Sequence, residues 1–166
     1  ARCGYALPVR WAALLHDLGK GTTPAAFWPK HHGHEGRGVA LAKALSERLK
    51  TPVECRDLAV MVARDHGNVH RAGELRPSTV LELLERCDAL RRPERFYACL
   101  QACEADFHSR PGFADRDYSQ PERLKRALNG VRTVAAGAIA QSTAPERIAE
   151  HIRKTRIQAI EQALAT

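Results

Sequence analysis

Histidine and aspartate side chains recur at the ends of apolar helical stretches in this sequence. His16 and Asp17 close the stretch LLHDLGKG, which continues with Lys20 after a glycine. An ionised carboxylate beside leucines is costly unless it is hydrogen-bonded, paired with a cation or bound to a metal ion. Taken alone, the pair favours a plain helix end with a hydrogen-bonded core histidine.

Two later helices end in the same way. His66 follows Val62 by four residues and Asp88 follows Leu84 by four, so both are expected on the buried side of their helices. His34 stands at the start of another helix. A histidine at a helix C-terminus can simply interact with the helix dipole. Two apolar stripes that each end in a metal-type ligand favour a shared metal site.

The mixture of imidazole and carboxylate groups indicates which metal and which reaction to expect. Roughly equal numbers of the two suit borderline divalent ions such as Mn²⁺, Fe²⁺, Ni²⁺ or Zn²⁺. A site holding two such ions activates water near neutral pH and clamps the attacking and leaving oxygens of a phosphoester. The sequence therefore predicts hydrolysis of phosphate esters.

The elements that must position these residues all read as amphipathic helices. Apolar residues recur at helical spacing, and no segment sustains a period of two. The first helix is expected from about Pro8 to Leu18, a later one to end near His66, and the next to reach Asp88. Four capping boxes support the prediction of an all-α bundle of about six to seven helices. These boxes begin at Thr51, Thr79, Ser119 and Thr143.

A polar loop at 108–120 separates two parts of the chain. The sequence predicts a histidine-rich core at 1–107 and a helical tail at 108–166 that packs on the core or extends it. The last helix of the tail carries the basic run of Arg153, Lys154 and Arg156. That run either contacts nucleic acid or forms a solvated helix face.

Composition narrows the class of protein. The net charge is +7, with 20 Arg and 6 Lys, which suits a phosphate-bearing partner but is equally compatible with a solvated basic surface. The apolar runs are too short to span a membrane, and no secretory signal is evident. The five cysteines lack a C-x-x-C pattern and are expected to be reduced packing residues of a cytoplasmic protein. They are Cys3, Cys55, Cys87, Cys99 and Cys103.

The ordered series HDLGK, HHGHEG, ARDH and CDAL resembles the HD superfamily of metal-dependent phosphohydrolases. The dipeptide HD alone is common by chance, whereas the series in this order is specific. The resemblance implies that Lys20 contacts phosphate. It implies five metal ligands, namely His16, Asp17, His34, His66 and Asp88.

A narrower resemblance covers the chain from about residue 8 to its end. WAALLHDLGKGTTP, HHGHEG, DALRRPER and CEADFHSRPGF are similar to the C-terminal HD region of the bacterial CCA-adding tRNA nucleotidyltransferase family, in its multifunctional form. This implies 2′,3′-cyclic phosphodiesterase, 2′-nucleotidase and phosphatase activities with Ni²⁺ or Mg²⁺, Mn²⁺ being a further possibility. The implied partners are tRNA or a phosphorylated nucleotide, with a homodimer as a possible assembly.

The sequence departs from this family pattern in two places. The pattern opens with a histidine on an earlier helix, whereas no histidine precedes His16. The nucleotidyltransferase head, with its Gly-Ser turn and paired carboxylates, is not found in these residues. We therefore expect the chain to be the C-terminal part of a longer protein, unable by itself to add CCA.

Several further residues are candidates for binding substrate. His70 lies one helical turn after His66 and is expected within reach of substrate. Arg91 and Arg92 either face an anionic substrate or cap the preceding helix.

Other residues have simpler explanations. His31 and His32 lie in a proline-containing loop and are expected to face solvent. Asp106 and Arg110 belong to the family-like stretch, although by themselves they indicate only an ion pair or a cap.

Two other functions remain open on the sequence. The missing first histidine favours a noncatalytic helical module for tRNA binding or dimerisation. A different HD-type nucleotidase or cyclic-dinucleotide phosphodiesterase is the other, although no GYP element supports the latter.

Overall fold

The computed structural model describes residues 4–165, so Cys3 lies outside the described residues. Over this range the chain forms eight α-helices and no strand, which confirms the all-α prediction. The helices are α1 (Leu7–Leu15), α2 (His34–Arg48), α3 (Val53–His70), α4 (Pro77–Arg86), α5 (Pro93–Ser109), α6 (Gln120–Arg132), α7 (Ala136–Ser142) and α8 (Ile148–Ala165). Three short 3₁₀ helices lie at Leu18–Thr22, Ala25–Phe27 and Pro145–Arg147.

The described chain divides into two compact units. The first comprises the residues up to His70 together with Glu94–Tyr118, and the second comprises Arg71–Pro93 and the residues from Ser119 onward. Each unit is thus assembled from two separate stretches of chain. The division into 1–107 and 108–166 remains a prediction about functional domains.

In the first unit, α1 and α2 both pack against α3. The apolar stripe of α1 buries Val9, Ala12 and Leu15, whose spacing of three places them on one helix face. Trp11 Nε1 donates a hydrogen bond to Ser46 Oγ at 3.0 Å, which links α1 to α2. The apolar interior of α5 adds Phe96 to the buried set.

In the second unit, α8 packs against α6 and α4. Leu124, Leu128 and Ile160 are fully buried there. The approach of α6 and α8 is close at Gly130, where a Cβ atom would lie 2.8 Å from the carbonyl oxygen of Ala159. The absence of a side chain at this position lets the two helix backbones meet.

The structure corrects the predicted end of the first helix. We expected α1 to continue to Leu18, but it ends at Leu15, and a 3₁₀ helix begins at Leu18. His16 and Asp17 form the junction, and Asp17 has φ −105° and ψ 10°. These angles belong to the sparsely populated region in which active-site residues are often found. His16 keeps helical angles of φ −57° and ψ −33°, so the chain leaves the helical conformation at Asp17.

The expectation that α3 ends near His66 is also wrong, because α3 continues to His70. Gly67 was expected to terminate the helix, yet it lies inside it. A Cβ atom at Gly67 would lie 3.2 Å from Glu35 Oε1, so the glycine makes room for this carboxylate.

The predicted place of Asp88 on the buried stripe of α4 is wrong as well. The helix starts at Pro77, so Thr79 lies inside it, and it ends at Arg86. Asp88 follows with a left-handed φ of 54°. The amide of Ala89 donates to Leu84 O and that of Asp88 to Glu85 O, both at 2.9 Å. This pair of bonds is a Schellman motif that ends the helix before Asp88.

Two further capping boxes differ from the prediction, one in its hydrogen bonding and one in where its helix begins. Ser119 precedes α6 but makes no side-chain capping hydrogen bond. After Thr143 the chain first forms the 3₁₀ turn Pro145–Arg147, and α8 begins only at Ile148. The eighth helix, α7, exceeds the predicted six to seven.

The described cysteines agree with their predicted role as packing residues. Cys55, Cys87, Cys99 and Cys103 are buried, and none of them forms a disulfide bond within the described residues. Among residues 4–165, no helix combines the length and apolar character needed to cross a membrane.

Candidate metal centre

Three elements of the first unit bring histidine and aspartate side chains together. The junction after α1 supplies His16 and Asp17, and His34 is the first residue of α2. His66 lies near the end of α3 on its buried face. Three of these groups could hold a metal ion, since ligand atoms of His16, Asp17 and His66 lie within 4.8 Å of one another.

Gly19 sets the distance between the junction and α2. A Cβ atom built on Gly19 would lie 1.9 Å from the carbonyl oxygen of His34 and 2.7 Å from the amide nitrogen of Gly38. Only glycine permits this backbone approach. The contact therefore fixes His34 relative to Asp17, which lies two residues before Gly19.

The centre of the cluster is Asp17 Oδ1. It lies 3.3 Å from His34 Nε2 and 3.5 Å from His66 Nε2. The two Nε2 atoms are themselves 3.3 Å apart. Asp17 Oδ1 is buried and has no hydrogen-bond partner. One carboxylate oxygen and two ring nitrogens thus converge on a common point.

The opposite ring nitrogens of the three histidines face backbone carbonyls. The Nδ1 atoms of His16, His34 and His66 lie 2.7, 2.9 and 3.0 Å from carbonyl oxygens. An Nδ1–H donor to a carbonyl leaves a lone pair on Nε2, the tautomer that binds metal ions. Two such lone pairs facing a carboxylate oxygen repel each other, and a cation between them removes the conflict. The donor set therefore fits a borderline divalent ion.

The second oxygen of Asp17 is paired with cations. Asp17 Oδ2 accepts a hydrogen bond from Lys20 Nζ at 2.5 Å and lies 3.1 Å from His16 Nε2. Burial alone would raise the pKa of Asp17, but His16 and Lys20 hold it well below its usual range. The carboxyl group is therefore ionised and available as a ligand.

A second carboxylate, Asp106 on α5, lies on the other side of His16. Its Oδ1 is 3.4 Å from His16 Nε2, and its Oδ2 is 3.1 Å from His70 Nε2 and 2.6 Å from Arg110 Nη2. Burial opposes ionisation of Asp106, but hydrogen bonds from His16, His70 and Arg110 lower its pKa well below the usual range. The far ring nitrogen of His70 lies 2.9 Å from the hydroxyl oxygen of Tyr118. These contacts give His16 a rigid polar support.

The protonation preferences of His16 and His66 differ. Burial would lower the pKa of His16, but Asp106 and Asp17 outweigh burial and raise it to about 10. For His66, burial lowers the pKa, and the charge on His16 lowers it further. His66 is thus held neutral, with its Nε2 lone pair available.

The predicted site residues fall into two groups. His16, Asp17, Lys20, His34 and His66 come together in the first unit, with the His70 ring centroid 6.0 Å from that of His66.

The other predicted residues belong to the second unit. Asp88 accepts hydrogen bonds from Arg91 Nε at 2.6 Å and Arg91 Nη2 at 3.0 Å, and it lies 3.6 Å from Arg92 Nε. The ligand role of Asp88 and the substrate roles of Arg91 and Arg92 stay predictions.

Asp106 is the residue of this cluster that was not singled out as a site residue. A signal for it exists in the sequence, because Asp106 follows Cys103 by three residues and Cys99 by seven. It therefore ends the apolar stripe of α5 in the way that His66 ends that of α3. Applying the same rule to every helix would have identified it.

Comparison with known proteins relates the chain to one family model. The model described as HD domain matches residues 5–92. No solved structure matches the chain.

Curated relatives named Multifunctional CCA protein are similar over nearly the whole chain. That of Burkholderia mallei (strain SAVP1) is 54% identical over 166 residues, covering 99% of this chain and 40% of the relative. That of Ralstonia nicotianae is 54% identical, covering 95% and 37% respectively. That of Paraburkholderia phytofirmans is 53% identical, covering 99% and 41%. The chain thus spans about 40% of the length of these relatives.

Proposed function

The chain belongs to the HD-domain family, and on this premise we propose that it is a metal-dependent phosphohydrolase. The proposed substrates are 2′,3′-cyclic nucleotides, 2′-nucleotides and RNA ends that carry the same phosphate groups. A cytoplasmic protein that matures and repairs tRNA 3′ ends is the proposed context, because the relatives are named Multifunctional CCA protein. The proposed metal is Ni²⁺ or Mg²⁺, with Mn²⁺ as a further candidate.

The observation that carries the proposal is the convergence of Asp17 Oδ1 with the Nε2 atoms of His34 and His66. An ionised, buried oxygen without a hydrogen-bond donor beside two nitrogen lone pairs is unfavourable unless a cation joins them. A divalent metal, when bound, supplies Lewis-acid polarisation of the phosphoryl group and activation of water. His16, adjacent to this point, is proposed as a further ligand.

Other side chains have proposed roles in holding the substrate and the ligands. Lys20 keeps Asp17 oriented and is partly exposed, with 42% of its side chain accessible, so its ammonium group can also contact a phosphate oxygen. Asp106 is proposed to orient His16 by direct contact, and His70 to hold Asp106 in place. His70 is also proposed to contact substrate.

Three residues of the second unit keep their predicted roles as proposals. Asp88 is proposed as a further ligand. Arg91 and Arg92 are proposed phosphate contacts.

Replacing Asp17 with Asn tests the proposal. The change keeps the shape of the side chain but removes the charge that holds a cation. We expect hydrolysis of 2′,3′-cyclic AMP to fall by more than the roughly 10- to 100-fold typical of losing an outer-shell partner. The helical circular dichroism should remain. Activity is measured with Ni²⁺, Mg²⁺ or Mn²⁺ added after removal of metal by chelation.

Asp57 provides the matched control. It is a surface carboxylate on α3 paired with Arg56 at 2.9 Å, and Asp57→Asn should leave turnover unchanged. A metal at about 100 times its Kd should stabilise the native protein by about 2.7 kcal/mol and the Asp17→Asn variant by much less. Equal turnover in both variants would refute the assignment. No response of the native protein to any of the three ions would leave a noncatalytic helical module as the better description.

A further inference from the structure

Two aromatic rings stand exposed on the loop between Thr23 and Gly33. Phe27 is 62% exposed and Trp28 is 64% exposed. Single exposed apolar residues are ordinary on protein surfaces. Two adjacent aromatic rings in a chain with only 5% aromatic residues are a concentration of stacking surface at one place. These two rings therefore mark the loop as a candidate binding surface for a ligand with an aromatic ring.

The indole of Trp28 and the two ends of the loop are held by hydrogen bonds. Trp28 Nε1 donates a hydrogen bond to the carbonyl oxygen of Thr23 at 3.0 Å, which fixes the indole edge while its face stays accessible. Arg37 ties down both ends of the loop. Its guanidinium group donates to Thr22 Oγ1, Thr23 Oγ1 and His32 O at 2.8 to 2.9 Å. An ordered aromatic face loses little conformational entropy when a ligand stacks on it.

The loop borders a cavity that reaches the metal cluster. The cavity has a volume of about 400 Å³, and its lining includes His34 and Lys20 of the cluster as well as Pro29, the residue after Trp28. Pockets for small ligands begin at roughly 300 Å³. One cavity thus connects the proposed ligand His34 with the neighbour of the exposed indole.

The charge around this cavity favours an anion. Lys20 and Lys30 line it together with His31 and His32, against the single carboxylate of Glu35. His31 Nδ1 is buried and has no hydrogen-bond partner. Cationic groups beside exposed aromatic rings are the combination with which proteins bind single-stranded nucleic acid. A surface that binds an apolar protein partner would instead be expected to have uncharged residues around the aromatic rings.

We propose that the loop 23–33 is the nucleoside subsite of the phosphohydrolase, in which Trp28 stacks on the base of the nucleotide whose phosphate lies beside Lys20 and His34. Phe27 extends the stacking surface, and Lys30 adds positive charge to the cavity. This inference rests on the proposed function and names how its substrate is recognised. Because every nucleobase has an aromatic face, such a subsite binds all four bases with little discrimination.

The kinetic test compares a substrate that has a base with one that lacks it. The substrates are 2′,3′-cyclic AMP and 1-O-methylribose 2′,3′-cyclic phosphate. Trp28→Ala should raise KM for the nucleotide by roughly 5- to 100-fold, the range expected for one stacked base, and leave kcat within about two-fold. KM for the base-free ester should not change. Trp28→Phe, which keeps an aromatic face, should retain most of the affinity.

A control variant addresses the loss of exposed apolar surface in general. Leu49 is 54% exposed at the end of α2, and Leu49→Ala should leave both KM values unchanged. An equal rise of KM for the two substrates in Trp28→Ala would show that the ring only supports the loop. An unchanged KM for the nucleotide would likewise overturn the proposal.

A binding measurement separates this inference from the proposed hydrolysis. The chain has two tryptophans, and adenosine 2′-monophosphate should quench the fluorescence of Trp28 by stacking. The quenching should be absent in Trp28→Phe. Quenching without any turnover would uphold the subsite and refute the phosphohydrolase. Turnover without quenching would uphold the enzyme and refute the subsite.

Discussion

His16 lies between two carboxylates, and only one of them belongs to the histidine-aspartate pair visible in the sequence. Asp17 is its neighbour in the chain, whereas Asp106 reaches it from α5 at 3.4 Å. The second contact fixes the direction in which Nε2 of His16 points. Partners that orient a ligand in this way often matter almost as much as the ligand.

Replacing Asp106 with Asn should therefore reduce metal affinity or turnover by roughly 10- to 100-fold, the usual cost of losing an outer-shell partner. The amide keeps the size of the side chain but no longer attracts His16 and His70. Metal affinity is measured by titration calorimetry and turnover with 2′,3′-cyclic AMP. Asp115, an exposed carboxylate after α5, is the control, and Asp115→Asn should behave like the native protein. Native affinity and turnover in Asp106→Asn would contradict the orienting role.

The ligand types could be predicted from the sequence, but not every position that they occupy. His66 was identified because it follows Val62 at helical spacing. His34 was identified because it completes the ligand set at the start of a helix, and the family resemblance implies both. Asp88 was placed on the stripe of α4 because the periodic pattern continues past Arg86. The helix stops there through a left-handed Asp88, and this conformation is usually signalled by glycine.

At the scale of elements, the candidate site depends on how closely the junction after α1 approaches α2. Gly19 and Gly21 lie in the same 3₁₀ helix but differ in their surroundings. A Cβ atom on Gly19 would overlap the backbone of His34, whereas one on Gly21 would meet nothing within 4 Å. The two glycines therefore form a matched pair for testing the contact.

Gly19→Ala should separate Asp17 from His34 and weaken metal binding, with a loss of stability of roughly 1–3 kcal/mol from overpacking. Gly21→Ala should change stability by less than about 1 kcal/mol and leave metal binding intact. Thermal unfolding with and without metal measures both effects. A Gly19→Ala variant that binds metal like the native protein would show that the close approach does not set the site.

The helices themselves were predictable where they bury an apolar stripe. The stripe of α6, with Leu124 and Leu128, identified it from sequence alone. By contrast, α7 has no buried residue, so no buried apolar stripe distinguishes it from the neighbouring helices in the sequence. The division of the chain into two units of interleaved stretches depends on contacts between distant residues, which periodicity does not report.

At the scale of the whole molecule, the net charge of +7 is compatible with the proposed RNA partner. The basic residues of the protein differ, however, in whether a carboxylate lies beside them. In the basic run of α8, Arg153 Nη2 lies 2.8 Å from Glu82 Oε1, and Arg156 Nη1 lies 3.4 Å from Glu85 Oε1. These two guanidinium groups face α4 within the second unit. The helical repeat places Lys154 elsewhere on α8.

Lys154 lines a cavity of about 520 Å³ together with Arg147 and His151. Its exposed ammonium group is a better candidate for contacting RNA phosphate than the two arginines, which lie beside carboxylates. The sequence shows the basic run but not which of its residues are paired. The acidic partners lie on α4, and Glu82 precedes Arg153 by 71 residues.

Lys154→Ala should therefore weaken binding of tRNA and reduce the slope of log K against log salt by about 0.7 to 0.9, the share of one phosphate contact. Arg153→Ala, which removes an equal charge at a position paired with Glu82, should change that slope less and lower thermal stability by up to about 1 kcal/mol. Fluorescence anisotropy between 50 and 200 mM salt, a range over which phosphate contacts are strongly weakened, measures both. Equal slopes of log K against log salt for the two variants would mean that pairing with α4 carboxylates does not decide which basic side chains of α8 contact RNA. Since neither Lys154 nor Arg153 is among the proposed metal ligands or phosphate contacts, the rate of hydrolysis of a mononucleotide should be the same in both variants.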